Sequence, residues 1–295
     1  MSELGVVIVN YNSADYLRGC LASLYQETAC DFHVVVVDND SRDQSRLPEL
    51  TSGRRNLSLI LNQFNLGFSR GCNQGIRLRK AKNYLLLNPD CVIVDEAVDK
   101  TLQYLVRHPE IGIVGCRVEN PDGTLQRACR RATPTPSTAF YRLSGLSSLF
   151  PASRRFAGYH FGHLDPADSH PVEAVSGSFL MFRSEAHRTI GPLDERFFLY
   201  GEDLDFCLRA RRQGWDVQYF SGARIIHHKR VSSSRQPQES SSHFFEAMEI
   251  FYDKHFSGKA GSIERSLVPV GIHLLRFADR IRGNVTGRHS VGSKG

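Results

Sequence analysis

VVIVNYNS, residues 6–13, is an unbroken apolar run that stops abruptly on polar side chains. A strand covered on both faces is apolar at every position rather than at alternate ones, which is the signature of a parallel sheet with helices on each side. A helix is predicted directly after it, because Leu17, Cys20, Leu21 and Leu24 recur at i, i+3, i+4 and i+7. HVVVVDNDS (33–41), LSLILN (57–62), YLLLNPD (84–90) and IGIVGCRV (111–118) read as further buried strands, three of them ending on polar residues. CVIV (91–94) continues the sheet, and Val98, Leu102, Leu105 and Val106 share one helix face. Strands alternating with helices in this way predict an α/β fold with a mostly parallel sheet.

Residues 130–171 are rich in Arg, Pro and Ser, without periodicity, and read as a long excursion of the kind that often carries function. The sheet resumes at VEAVSGSFLMFR (172–183). A short helix near 185–190 stops at Gly191-Pro192, and a second helix covers 204–214. WDVQYF (215–220) and ARIIHH (223–228) are expected as two short strands. Helical patterns at about 243–256 and 268–282 follow.

Composition narrows the function. The chain has 295 residues, 41% hydrophobic and 23% charged, enough for a full core and unlike a disordered or fibrous protein. The net charge is +6, yet 257–295 alone holds seven basic and two acidic residues. The body is therefore near neutral, and no nucleic-acid partner is expected, since that would call for a basic stripe on the folded domain. Seven cysteines without a C-x-x-C pair argue for reduced thiols, with Cys20, Cys72, Cys116 and Cys207 as small core residues. No apolar run spans a bilayer and no signal peptide precedes Val6, so a cytoplasmic protein is expected. The tail adds one qualification. Val270, Leu274, Phe277, Ala278 and Ile281 form an apolar stripe beside Arg276, Arg280 and Arg282. A helix over 268–282 suits either docking on the body or peripheral contact with the inner face of the plasma membrane.

Open α/β sheets bind ligands beyond their carboxyl strand ends, and here those ends are polar. Asn88-Pro89-Asp90 is the metal candidate: Pro89 cannot extend the ladder, so Asp90 is presented at the rim, where a hard cation with diphosphate oxygens could sit. The simpler alternative is a type I turn with Pro at its second position. Gly201-Glu202-Asp203-Leu204-Asp205 opens a helix with three carboxylates. Helix-dipole stabilisation and capping account for one or two of them, and a third leaves room for a general base. His227-His228 closes a strand whose neighbours point to opposite faces, so one of the two at most reaches a shared metal. Glycines 67, 71 and 75 fit neither a dinucleotide nor a phosphate-loop pattern, and they suit either backbone approach to a nucleotide or close helix packing.

In the order VVIVNYNS, VVVVDNDSRD, NLGFSRGCNQG, LLLNPD, VSGSFLMFR, GPLDERFFLYGEDLDFCLRARRQGW and ARIIHH, these segments resemble glycosyltransferase family 2, most closely its rhamnosyltransferase-like branch, over about residues 4–235. The resemblance implies a GT-A fold, a Rossmann-like sheet flanked by helices. Its nucleotide-binding half covers about 1–120, its acceptor-binding half about 121–235, and 236–295 forms a helical, basic tail. It implies that Asp38 contacts the nucleotide base, with Asn10 and Asn12 near the same pocket. Asn65 and Asn73 fall in the donor loop, and Gly177 is a substrate-binding position. Asp90 matches the family's D-x-D-type metal ligand, with Asn88 replacing the first acid. Asp203 matches the catalytic base, beside Glu202, and His227 matches the second metal ligand, with His228 as its competitor. Trp215 and the 130–171 excursion are expected to shape the acceptor site. The implied activity is inverting transfer of a sugar, L-rhamnose from dTDP-L-rhamnose being the branch's suggestion, from a nucleotide-diphosphate sugar with Mg²⁺ or Mn²⁺. The acceptor is a glycan or lipid-linked hydroxyl. A sugar-nucleotide nucleotidyltransferase would need a basic Gly-rich loop after the first strand, which is missing here, and a noncatalytic glycan-binding module would not need both acid motifs.

Overall fold

The computed structural model describes residues 2–54, 56–135, 137–138, 141, 145–150, 152–228, 237–258, 261, 267–277 and 279. Four parallel strands, β1 (Ser2–Asn10), β2 (Phe32–Asn39), β3 (Leu57–Asn62) and β4 (Ala81–Leu87), build one half of the sheet. They are linked by α1 (Ala14–Gln26), the short α2 (Leu47–Thr51) and α3 (Phe68–Leu78). β5 (Cys91–Ile93), α4 (Ala97–Arg107) and β6 (Ile111–Glu119) come next. The excursion is not featureless: it holds β7 (Arg130–Arg131), a one-turn α5 (Leu146–Leu149) and β8 (His170–Pro171), and β9 (Ala174–Val175) follows it. β10 (Phe179–Arg183), α6 (Ser184–Ile190), α7 (Glu202–Arg212), β11 (Asp216–His227) and α8 (Pro237–His255) complete the named elements.

The nine-stranded sheet runs β3-β2-β1-β4-β10-β6-β11-β5, with β8 added against β11. β10, from the later part of the chain, enters antiparallel between β4 and β6, so early and late segments share one sheet and one core. The predicted α1 face, Leu17, Cys20, Leu21 and Leu24, is buried as its spacing requires. The four cysteines expected in the core lie there, and all seven thiols are free. No helix among the described residues is long and apolar enough to cross a membrane.

Two expectations change. WDVQYF and ARIIHH are not separate strands but parts of β11, which stays paired with β6 on both sides of an irregularity between Phe220 and Arg224. Gly222 lies inside that irregularity, under the Phe220 ring, rather than ending a strand. The glycines of α3 serve packing: an added Cβ on Gly71 would lie 2.9 Å from Val9 Cγ1, and one on Gly75 2.4 Å from Val7 Cγ1. Their i, i+4 spacing lets α3 settle directly on β1. Gly75→Ala is therefore expected to overpack this contact and cost about 1–3 kcal/mol, read as a lowered urea unfolding midpoint. An unchanged midpoint would show that the helix yields freely there.

Candidate active site

β1, β2, β4, β6 and β11 all end at the same edge of the sheet, which brings the polar strand ends together. At β4, Pro89 breaks the ladder and Asp90 is 9% exposed at the rim. β11 delivers His227 opposite it, with Nε2 3.1 Å from Asp90 Oδ1. Gln126 settles the tautomer. Its amide nitrogen donates to the His227 carbonyl (2.7 Å) and to Asn120 Oδ1 (2.9 Å), which turns Oε1 toward His227 Nδ1 at 2.9 Å. Nδ1 then carries the proton and Nε2 presents a lone pair. Nε2 lies 3.4 Å from Asn88 Nδ2 and 3.1 Å from Asp90 Oδ1, so both strand-end side chains face the nitrogen that a cation would bind. One imidazole nitrogen and one carboxylate oxygen are ligand types that Mg²⁺ or Mn²⁺ accepts. Cys91 lies close enough to join Asp90 and His227. Its Sγ lies 3.4 Å from the Ser178 carbonyl, and burial pushes the thiol well above its usual pKa. His228 uses its backbone N–H on the Asp90 carbonyl, and its ring lies against Tyr16. Of the two histidines, His227 faces the carboxylate.

The second centre stands at the start of α7. Tyr200 (φ 70°) and Gly201 (φ 83°) are both left-handed, a turn that swings the chain into the helix, and for Tyr200 a conformation held at a cost. No side chain caps the helix, so capping does not explain the acids. Asp203 Oδ2 accepts from Arg131 Nη2 at 2.6 Å and from the Gly177 N–H at 2.9 Å, while Oδ1 accepts from the Leu204 N–H at 2.7 Å. Arg131 also donates to the Val175 carbonyl. Burial strips the guanidinium of water, and the Asp203 charge more than compensates, so Arg131 is held protonated more firmly than usual. Glu202 is different. Burial first, and the Asp203 charge next, push it up to about 8, and its Oε2 has no hydrogen-bond partner. At neutral pH Glu202 is therefore mostly protonated, beside an Asp203 that is ion-paired with Arg131. Asp205 is a third case: fully buried, it receives Arg209 Nε, Lys254 Nζ and His255 Nε2 at 2.7–2.8 Å and ties α7 to α8. It is the structural acid of the three.

A buried carboxyl whose folded pKa lies above its unfolded value costs stability as pH rises through the interval, here from the ordinary 4.5 to about 8. Below 4.5 both states are protonated and nothing is lost, whereas above 8 the full cost is present. Glu202→Gln should therefore raise the melting temperature progressively from about pH 5 to about pH 8, with no gain at about pH 4. A pH-independent difference would place Glu202 in an unperturbed environment.

Ser176-Gly177-Ser178 joins the two centres. Gly177 N–H reaches Asp203, and the Ser178 carbonyl accepts the Asn88 N–H at 3.0 Å beside Asp90. A Cβ on Gly177 would face Glu202 Oε1 and Asp203 Oδ2 at 3.5 and 3.6 Å.

Other expected site residues are placed differently. Asp38 is fully buried and accepts from Asn10 Nδ2, Ser41 N and Oγ, and Gln44 Nε2. Asn10, also buried, bonds Asp38, Ser41 and Ser13, whereas Asn12 accepts the Arg42 N–H at the rim. Together they brace the ends of β1 and β2. Asn65 accepts the Gly67 N–H, a local turn. Asn73 does not reach the donor side: its amide bonds both backbone groups of Leu193 and Glu195 Oε1, anchoring α3 to 193–195. Trp215 lies at the opposite edge of the sheet, before the first residue of β11, packed on Gly112 and donating to Thr189 Oγ1. An acceptor site at the carboxyl edge is out of its reach. Sequence reasoning missed Arg131 and Gln126. Both lie in or just before the aperiodic excursion, and their partners are 72 and 101 residues away.

The family model described as "Glycosyltransferase like family 2" matches residues 2–243. An N-acetylglucosaminyl-diphospho-decaprenol L-rhamnosyltransferase of Mycobacterium tuberculosis is 29% identical, the alignment covering 97% of this chain and 99% of that protein. A rhamnosyltransferase of Escherichia coli K12 is 22% identical over 76% of this chain and 82% of its own length. Among solved structures, a mannosyltransferase from Pyrobaculum calidifontis, in complex with GDP-Man and Mn²⁺, superposes with a TM-score of 0.60 at 16% identity, covering 94% of this chain and 70% of that one.

Proposed function

The chain belongs to glycosyltransferase family 2 and is a glycosyltransferase with a GT-A fold, and from that premise we propose a single displacement at a sugar's anomeric carbon with Asp203 as base. The acceptor hydroxyl oxygen attacks the carbon, the bond to the diphosphate oxygen breaks, and the hydroxyl proton passes to Asp203. Oδ2 already accepts two hydrogen bonds and Oδ1 one, so Oδ1 has the lone pair for that proton. Arg131 pairs with Asp203 and fixes its orientation. Glu202, protonated at neutral pH, avoids a second charge beside the base. Asp90 and His227 would hold a Mg²⁺ or Mn²⁺ that neutralises the leaving nucleoside diphosphate. The observation that carries this reading is the Ser176–Ser178 turn, whose adjacent residues bond the base on one side and the metal pair's strand end on the other.

The relative that spans nearly the whole chain is named for L-rhamnose and for a lipid-diphosphate-linked N-acetylglucosamine. We take a dTDP-L-rhamnose-type donor, and a polyprenyl-diphosphate-linked sugar as acceptor, as the substrates to try first. Free thiols throughout fit a reducing, cytoplasmic site of action. The nucleotidyltransferase and binding-module alternatives find no support among these relatives. The test is transfer from a panel of sugar nucleotides to a polyprenyl-diphosphate-linked N-acetylglucosamine, with and without chelator. The expected result is turnover of dTDP-L-rhamnose that EDTA abolishes and Mn²⁺ or Mg²⁺ restores, with His227→Ala needing at least about tenfold more metal. Turnover of another donor would end the rhamnose assignment, and full activity in EDTA would end the metal role of Asp90 and His227.

A further inference from the structure

We propose that the exposed apolar row Leu267, Val270, Leu274 and Phe277 seats this protein on an anionic phospholipid bilayer, an inference that rests on the reading of the acceptor as lipid-linked. Residues 267–277 are helical. One side of that helix is occupied by the body: Ile272 is buried, Arg276 Nη2 donates to Ser242 Oγ at 2.6 Å and lies 3.5 Å from Glu246 Oε1, and His273 faces Glu249 at 3.8 Å. Asp279 bonds Ser241 on α8 as well. Among the described residues, Glu246, Glu249 and Asp279 thus lie between this helix and α8.

The row points elsewhere. Its members recur at i, i+3, i+7 and i+10, the spacing of a single face, and they remain 62%, 53%, 63% and 64% exposed. Four large apolar side chains in water on a helix already docked through its other face form a surface that something covers. The charge of the chain says what. Of the net +6, residues 257–295 supply seven basic against two acidic side chains, and Arg280 and Arg282 follow the row directly in sequence. An apolar strip followed in sequence by cationic residues matches the two signals that hold a helix in the plane of an anionic membrane surface. Seated there, the protein would meet an acceptor that cannot leave the bilayer.

Flotation of the full chain with vesicles tests this. The wild type is expected to rise with vesicles of phosphatidylglycerol and phosphatidylcholine, weakly with phosphatidylcholine alone, and less at high salt. Leu274→Glu/Phe277→Glu should lower the bound fraction at least about tenfold. Its melting temperature and its transfer to a water-soluble acceptor analogue should match the wild type, since neither residue touches the catalytic machinery. Equal flotation of the two proteins, or none by either, would overturn the proposal. So would a dimer in solution that the double variant splits, because the row would then be an interface between copies. Failure of transfer to the soluble analogue by both proteins would count against the reading of the reaction and leave the flotation result standing.

Discussion

Asp203→Asn should lower sugar transfer by about 10²–10⁴-fold, the range that general-base assistance is worth, while nucleotide-sugar affinity changes little. Asparagine keeps the size and one accepting oxygen, so the Gly177 contact can survive, but it cannot take the acceptor's proton. The cost in stability should be about 3 kcal/mol, the low end for unpairing a buried charge, because the asparagine oxygen can still accept from Arg131. The contrast with capping is sharp. Asn caps helices as well as Asp, so if this acid served only the helix start, the variant would transfer sugar at nearly the wild-type rate. Donor affinity measured calorimetrically, beside initial rates and a melting curve, separates the two. Asp90→Asn is the useful companion, because its loss should appear in metal-dependent donor binding as well as in rate.

Arg131→Met should be the most damaging single change to the folded state. The Arg131–Asp203 pair has side chains only 12% exposed on each partner, and removing one member of such a pair strands the other as an uncompensated charge, typically at about 3–5 kcal/mol. Rate should suffer too. Without the guanidinium, Asp203 loses the partner that fixes its orientation toward the acceptor hydroxyl. Arg131→Met/Asp203→Asn provides the control, since neutralising both partners removes the stranded charge. The double variant is then expected to be more stable than the sum of the single losses allows, though inactive. Additive losses with an unchanged rate for Arg131→Met would reduce Arg131 to packing.

Much of this arrangement is legible in the sequence, and the gaps have physical causes. Continuous apolar runs ending on polar residues point to the sheet and its functional edge, because such strands declare their own burial. Asp90 is legible because Pro89 stops a strand, and His227 because vicinal strand residues face opposite ways, although choosing it over His228 requires knowing which side Asp90 is on. Trp215 is misplaced because a strand's sequence does not say which end of it meets the site. Asp38 and Asn73 resemble binding residues in sequence, yet burial turns their polar atoms inward to brace loops. β11 reads as two strands because Ser221-Gly222 looks like a turn, whereas β6 holds the register on both sides of it. Arg131 cannot be found from local pattern at all: it is defined by a contact 72 residues away. The tail is half legible. The stripe at Val270, Leu274 and Phe277 is exposed as one face of a docked helix and gains Leu267, whereas Ala278 and Ile281 lie outside the described residues.

The anomeric configuration of the product tests the central claim most directly. Nuclear magnetic resonance of the linkage formed from a donor of known configuration distinguishes one displacement from two. A single displacement driven by proton transfer to Asp203 predicts an inverted linkage, formed by the wild type and not detectably by Asp203→Asn. A product that retains the donor's configuration would require a second nucleophile in the site and would contradict the role of Asp203 as the base.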